Sequence, residues 1–237
     1  MAKAWFMELE GDSIDLDRLV DAFTVSPVRI WNEDGRYRFS ADDLNDSDDA
    51  QYVRSELHQM LLRINALARL QWGADYDDVR PGGLGHPNDH GGTSWYDAGT
   101  IFGRMRISGK MSIIGPDGEI VPNPPSRLPQ ELQLAAVDPN VDDALYFLQR
   151  AEPSWGELYK AYEVVRDDAG DPGGRGWTSR DDLSRFTRTA NHQAAAGRQA
   201  RHARAATEPP ANPMSLEDAW IFVRRFVSAW ITEKLEP

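Results

Sequence analysis

Residues 185–204 read Arg-Phe-Thr-Arg-Thr-Ala-Asn-His-Gln-Ala-Ala-Ala-Gly-Arg-Gln-Ala-Arg-His-Ala-Arg. On a helix, Arg188 and His192 stand four apart on one face, and Arg198 and His202 repeat that spacing. Guanidinium forks bind phosphate in a bidentate way, and an imidazolium adds a further donor. Arg188, His192, Arg198, Arg201 and His202 are therefore candidate anion ligands. One histidine acting as base and the other as acid is also the arrangement that metal-free phosphodiester cleavage requires. That makes His192 and His202 candidate catalytic groups. The same segment reads equally as a helix hairpin. Its Ala194, Ala195, Ala196, Ala200 and Ala203 would then pack closely, and its arginines would pair with Asp167, Asp168 or acids of the N-terminal part.

Glu163 is the third candidate catalytic group. It lies between Tyr162 and Val164 near the apolar boundary of a helix, where it can accept hydrogen bonds from the basic segment or act as a general base if burial raises its pKa. Tyr159 and Tyr162 read as packing residues. His86-Pro-Asn-Asp89-His90 has metal-ligand composition but is flanked by glycines, with nothing to fix the ligands, so no metal is expected there. The acidic run Asp42–Asp49 lacks the Gly and Glu of a calcium loop and reads as a solvated helix entry. There is no Walker A loop, G-x-S-x-G elbow, G-x-G-x-x-G or H-E-x-x-H, and no cofactor is expected. With no cysteine, disulfides, thiolate metal sites and thiol nucleophiles are excluded, and a reducing cytoplasm is the simplest home.

The chain has 237 residues and a net charge of −12, unevenly spread. Residues 1–100 carry 9 bases against 19 acids, whereas residues 173–206 carry seven arginines against Asp181 and Asp182. An acidic body repels nucleic acid at long range, so such a partner would have to be held locally by this basic island. No run approaches the roughly 18 apolar residues of a membrane span, so no membrane partner is expected. Met1–Glu10, with Lys3 its only base, does not read as a secretory signal.

The elements that must position these groups divide the chain into an α+β domain (1–121), a Pro-rich linker (122–129) and a helical domain (130–237). Residues 4–9 read as a strand, and residues 28–31 and 36–39 as a hairpin around Asn32-Glu-Asp-Gly35. Leu16, Leu19, Val20 and Phe23 suggest a short helix. Ser47 or Asp48 is the expected cap of a long helix reaching Trp72, with Val53, Leu57, Met60, Leu61, Ile64, Leu67 and Ala68 as its apolar stripe. Glycines and prolines in residues 80–93 predict irregular structure. Residues 94–107 and 110–114 read as strands, with a turn at Pro116-Asp-Gly118 leading into Ile120-Val121. Beyond the linker, helices are expected over 130–137 and 141–150, from Ser154, from Thr178 or Ser179, and from Ser215. Asp168–Gly176 reads as a turn. Leu216, Ala219, Trp220, Val223, Phe226, Val227 and Trp230 form the stripe of the last helix. The fold class is α+β: N-terminal strands with one long helix, then a mainly α-helical part.

Several strings are distinctive: Leu158-Tyr-Lys-Ala-Tyr-Glu-Val-Val-Arg-Asp-Asp168, Arg185-Phe-Thr-Arg-Thr-Ala-Asn-His192, Ala196-Gly-Arg-Gln-Ala-Arg-His202, Pro209-Pro-Ala-Asn-Pro-Met-Ser-Leu216 and Trp5-Phe-Met-Glu-Leu-Glu-Gly11. They resemble a bacterial family to which no activity is attached. The resemblance implies bacterial origin and one recurring architecture, and no reaction. The R-x6-H spacing of Arg185 and His192 is similar to that of helical ribonucleases of the HEPN type. Phe186, however, stands where those enzymes usually carry a polar residue.

The expectation is a binding module that presents the basic island to an anionic ligand: phosphate, a nucleotide or nucleic acid. The alternatives are a metal-independent ribonuclease or phosphoesterase, and a structural protein that self-associates through Trp220, Phe226 and Trp230.

Overall fold

Asp34 and Gly35 hold positive φ angles of 52° and 81°. Two such residues in succession make a type I′ turn, whose twist matches the strands it joins. The Gly35 N–H donates to Asn32 Oδ1 at 3.0 Å and fixes the reversal. The flanking strands are β2, Val28–Glu33, and β3, Arg36–Ala41. The computed structural model describes residues 4–25, 27–89, 92–96, 113–114, 120–121, 126–201 and 210–236. Two units emerge, Met1–Leu61 with Asp77–Pro129, and Leu62–Tyr76 with Gln130–Pro237.

In the first unit the hairpin joins β1, Phe6–Glu10, and β4, Arg80–Pro87, in an antiparallel sheet. The strand order is β2-β3-β1-β4-β5, with β5, Thr93–Trp95, at the edge. Helix α1, Ser13–Ala22, follows β1, and α2, Ala50–Trp72, of which this unit holds the part up to Leu61, follows β3. Up to β4 this is the β-α-β-β-α-β connectivity of the ferredoxin-like arrangement, a scaffold that hosts many unrelated functions. Register aligns Ile30, Phe39, Met7 and Leu84 in one row across four strands. All four are buried, as are Leu16, Leu19 and Phe23 near them in sequence order and Val53, Leu57 and Leu61 of α2.

Residues 80–87 are a central strand and not the irregular loop expected from their composition. The glycines serve close approach. A Cβ at Gly82 would come within 3.0 Å of the Glu8 carbonyl oxygen, and one at Gly85 would press into the Phe6 ring. The cap of α2 also differs. Asp49 Oδ1 accepts from the N–H groups of Gln51 and Tyr52 at 2.9 and 3.1 Å, and Ser47 only braces Asp49. Short β6, Ile113–Ile114, pairs with β7, Ile120–Val121. The strand expected over 94–107 is described only through Tyr96. The Pro116–Gly118 turn lies outside the described residues, as do residues 122–125 of the expected linker.

The second unit is built from helices. Among them are α4, Pro139–Phe147, α5, Trp155–Ala169, α6, Arg180–Asn191, and α8, Leu216–Leu235, with α3, Leu128–Val137, leading in. Local rules set their starts. Asp138 caps α4 with Pro139 at its first position. Ser154 and Glu157 form a reciprocal capping box on α5, and Ser179 and Ser215 cap α6 and α8. The core is aromatic. Phe186 lies stacked on Tyr159, with ring centres 6.1 Å apart, and meets Tyr162 edge-on and Phe222 at 5.3 Å. On α8, Phe226 and Trp230 are 0% and 1% exposed, and Phe226 packs on Tyr162. Neither ring faces outward, so they do not offer the self-association surface expected of them. Phe222 and Ile231 complete the buried stripe, while Leu216 is exposed.

Candidate functional site

The basic island is not one helix. α6 ends at Asn191 because His192 turns extended, with φ −108° and ψ 117°. Its Nδ1 then accepts from the Ala194 N–H at 3.2 Å and starts a single further turn, α7, Gln193–Ala196. Gly197 stops that turn with φ 64° and ψ −147°, a region open essentially to glycine alone. A 3-10 turn over Gly197–Gln199 follows, and the Arg201 N–H reaches back to the Ala190 carbonyl at 2.9 Å. That bond closes residues 191–200 into a compact loop whose ends meet, a form common at functional surfaces. The expected Arg188–His192 pairing along one helical face is absent, because the helix stops between them.

The side chains take three kinds of position. Arg188 and Arg198 are exposed, and neither has a carboxylate in ion-pair reach among the described residues. His192 is half-buried and committed to capping. Arg201 is anchored: Nη2 donates to Glu163 Oε1 at 2.8 Å, Nη1 lies 3.4 Å from the Tyr159 hydroxyl, and the guanidinium carbon sits 4.7 Å from the centre of the Tyr159 ring. Glu163, expected to accept from island arginines, does so through Arg201. His202 lies outside the described residues, as does Arg204. Arg185 serves the scaffold by donating to the carbonyls of Asn212 and Pro213 at 2.9 and 3.2 Å.

Two residues of this cluster escaped the sequence. Asn191 donates through Nδ2 toward the Tyr159 hydroxyl at 3.4 Å, and its Oδ1 is buried with no partner among the described residues. Tyr159 is thus both a core ring and the polar bridge between the α6 terminus and Arg201. No spacing rule links them, since α5 and α6 contribute from separate stretches of chain.

A second polar cluster joins three helices of this unit. Lys234 Nζ lies 2.6 Å from Asp138 Oδ2 and 2.8 Å from Asp168 Oδ2. Asp168 also accepts from Trp230 Nε1 at 2.9 Å and Asn140 Nδ2 at 2.6 Å. Burial alone would raise the Asp138 carboxyl. The Lys234 hydrogen bond and the N–H groups of Val141 and Asn140 outweigh it and hold Asp138 below the usual carboxylate range. Burial likewise opposes the Lys234 charge, but its two carboxylates hold its pKa above the ordinary value. One ammonium thus serves two carboxylates, the second of which also accepts from the neutral Trp230 and Asn140 donors, and the cluster ties helices together. Beside it, a cavity of about 600 Å³ is lined by Lys160, Glu163, Asp167 and Asp168 among others.

His86 packs against the Trp5 ring, with centres 4.5 Å apart. His90 lies outside the described residues. Among the described residues no group of three or more His, Asp or Glu is placed to hold a metal ion, and no helix is long and apolar enough to cross a membrane. No protein-family model matches the chain, and no curated protein or solved structure matches it either.

Proposed function

We propose that the protein is a bacterial cytoplasmic binding module that holds the phosphate of an anionic ligand on the closed loop 191–200 and the adjoining end of α6. The ligand is a free phosphate, a nucleotide or a single-stranded nucleic acid, all recognised through the same group. One observation carries the reading. The Arg201 N–H bond to the Ala190 carbonyl folds residues 191–200 back on themselves, which supports a site shared by this loop, with Arg198, and the end of α6, with Arg188. Arg188 and Arg198 supply guanidiniums that no described carboxylate neutralises, in a segment carrying seven arginines against two acids. The cysteine-free composition and the motif resemblance support the setting.

Binding is favoured over cleavage. A general base must be free to take a proton, and Glu163 is engaged with Arg201. The test is equilibrium binding of a fluorescein-labelled single-stranded oligothymidylate, with inorganic phosphate and a nucleotide as competitors and EDTA present throughout. Replacing Arg188 and Arg198 together by Glu should weaken binding at least about tenfold while melting stays unchanged. An unaltered Kd in the double variant refutes the site. Scission of a labelled RNA under the same EDTA conditions, lost in His192→Ala, would instead support the hydrolytic alternative.

A further inference from the structure

Glu163 and Arg201 form an ion pair between the basic loop and α5, and they are accessible. Their side chains are 27% and 40% exposed. A carboxylate on a guanidinium occupies the place a phosphate oxygen would take, since both anions meet the same donor fork. Beside the pair lie the Tyr159 hydroxyl and the Asn191 amide, whose Oδ1 is buried and unpartnered. An exposed ion pair holds its partners by at most about fivefold, whereas phosphate brings more charge and more acceptor oxygens.

We propose that Glu163 is an internal competitor: it holds Arg201 in the ligand-free protein, and an incoming phosphate group displaces it. This rests on the anion-binding reading above and adds the regulation of that site. Arg201 then has two alternating partners, and the loop stays closed throughout, because its backbone N–H bond to Ala190 is separate from its side chain. The stacking of the guanidinium on Tyr159 keeps it in place while the anions exchange.

The test is calorimetric titration with inorganic phosphate of the wild type, Glu163→Gln, Asp167→Asn and Glu163→Gln combined with Arg201→Gln. Removing the competitor should tighten phosphate binding about three- to fivefold. Asp167 is the control: it is an acid on the same helix, bonded to Arg166 and not to Arg201. Its removal changes the local charge equally but frees Arg166 and not Arg201, so the affinity should move by less than the gain at Glu163. The combined variant should lose the gain. If the wild type binds but Glu163→Gln binds no tighter, or if Asp167→Asn gains as much, the competitor role falls and the binding site stands. If neither wild type nor Glu163→Gln binds phosphate or the oligonucleotide, both fall. Thermal melts of each variant establish that all are folded.

Discussion

The ring of Phe6 on β1 lies across Gly85, its register partner on β4, and only the missing side chain of the glycine permits it. A Cβ there would stand 2.5 Å from Phe6 Cζ and 3.0 Å from Thr93 Cγ2. The ring has little room to yield. Trp31 and Trp95 flank it edge-on, and the Arg38 guanidinium covers it at 4.5 Å. Gly85→Ala should therefore destabilise the first unit by about 1–3 kcal/mol, as overpacking does. Phe6→Leu in the same chain should recover part of that loss, a non-additivity expected of residues in contact. Urea unfolding followed by tryptophan fluorescence measures both.

Lys234 bridges Asp138 and Asp168 with only about a fifth of each of Lys234 and Asp138 exposed, 22% and 21%. Lys234→Met leaves two carboxylates facing each other without a cation, and should cost about 1–3 kcal/mol. The pH profile gives the sign. Asp138 is held below its ordinary value, so its contribution is complete above about pH 4 and is lost as pH falls through the folded value. Lys234 is held above its ordinary value, so its contribution is complete below about pH 10 and is lost as pH rises through the folded value. Melting temperature against pH should show both shoulders in the wild type, whereas Lys234→Met should lose the alkaline one and keep a smaller acid one, since the Val141 and Asn140 N–H groups still bond Asp138. An alkaline shoulder that persists in the variant assigns it to another group.

Local rules made much of this fold readable. Helix starts at Asp138, Ser154, Ser179 and Ser215 obey capping chemistry written in adjacent residues, and the Asp34-Gly35 reversal is a two-residue signal. β4 was hidden because its glycines answer to Phe6 and Glu8 on another strand, while in the local sequence they resemble a loop. The end of α6 was hidden for the opposite reason. Alanines favour helix, and before Gly197 only Asn191 hints at a bend, yet the His192 imidazole caps a new turn instead of extending the old one. Glu163 was legible as an acceptor for the island from its place on the apolar boundary of α5. Which arginine it takes depends on where the loop returns, and that is a tertiary fact.

Gly197 holds that return. Its φ of 64° with ψ −147° is costly for any side chain, so Gly197→Ala should strain the loop by about 1–3 kcal/mol. The surrounding helices do not depend on it, and global melting should shift little. The strain should be relieved by local opening of residues 191–200, read as faster amide exchange at Arg201, the donor to Ala190. Unchanged exchange at that amide would mean that the loop is held closed without Gly197.

Salt dependence separates a phosphate contact from other binding. Each guanidinium engaged by a single strand releases counterions, so the logarithm of the binding constant falls with the logarithm of salt by about 0.7 per contact. Arg188 and Arg198 are the exposed arginines of the closed loop and its helix end without a described carboxylate partner. Two contacts give a slope near about −1.4 for oligothymidylate. Arg198→Gln should bring it to about −0.7, and Arg201→Gln should matter in proportion to how fully phosphate has displaced Glu163. A slope near zero in the wild type, with binding intact, would place recognition on the bases and away from these arginines. A slope that Arg198→Gln leaves untouched would exclude Arg198 from the contact while keeping the ligand anionic.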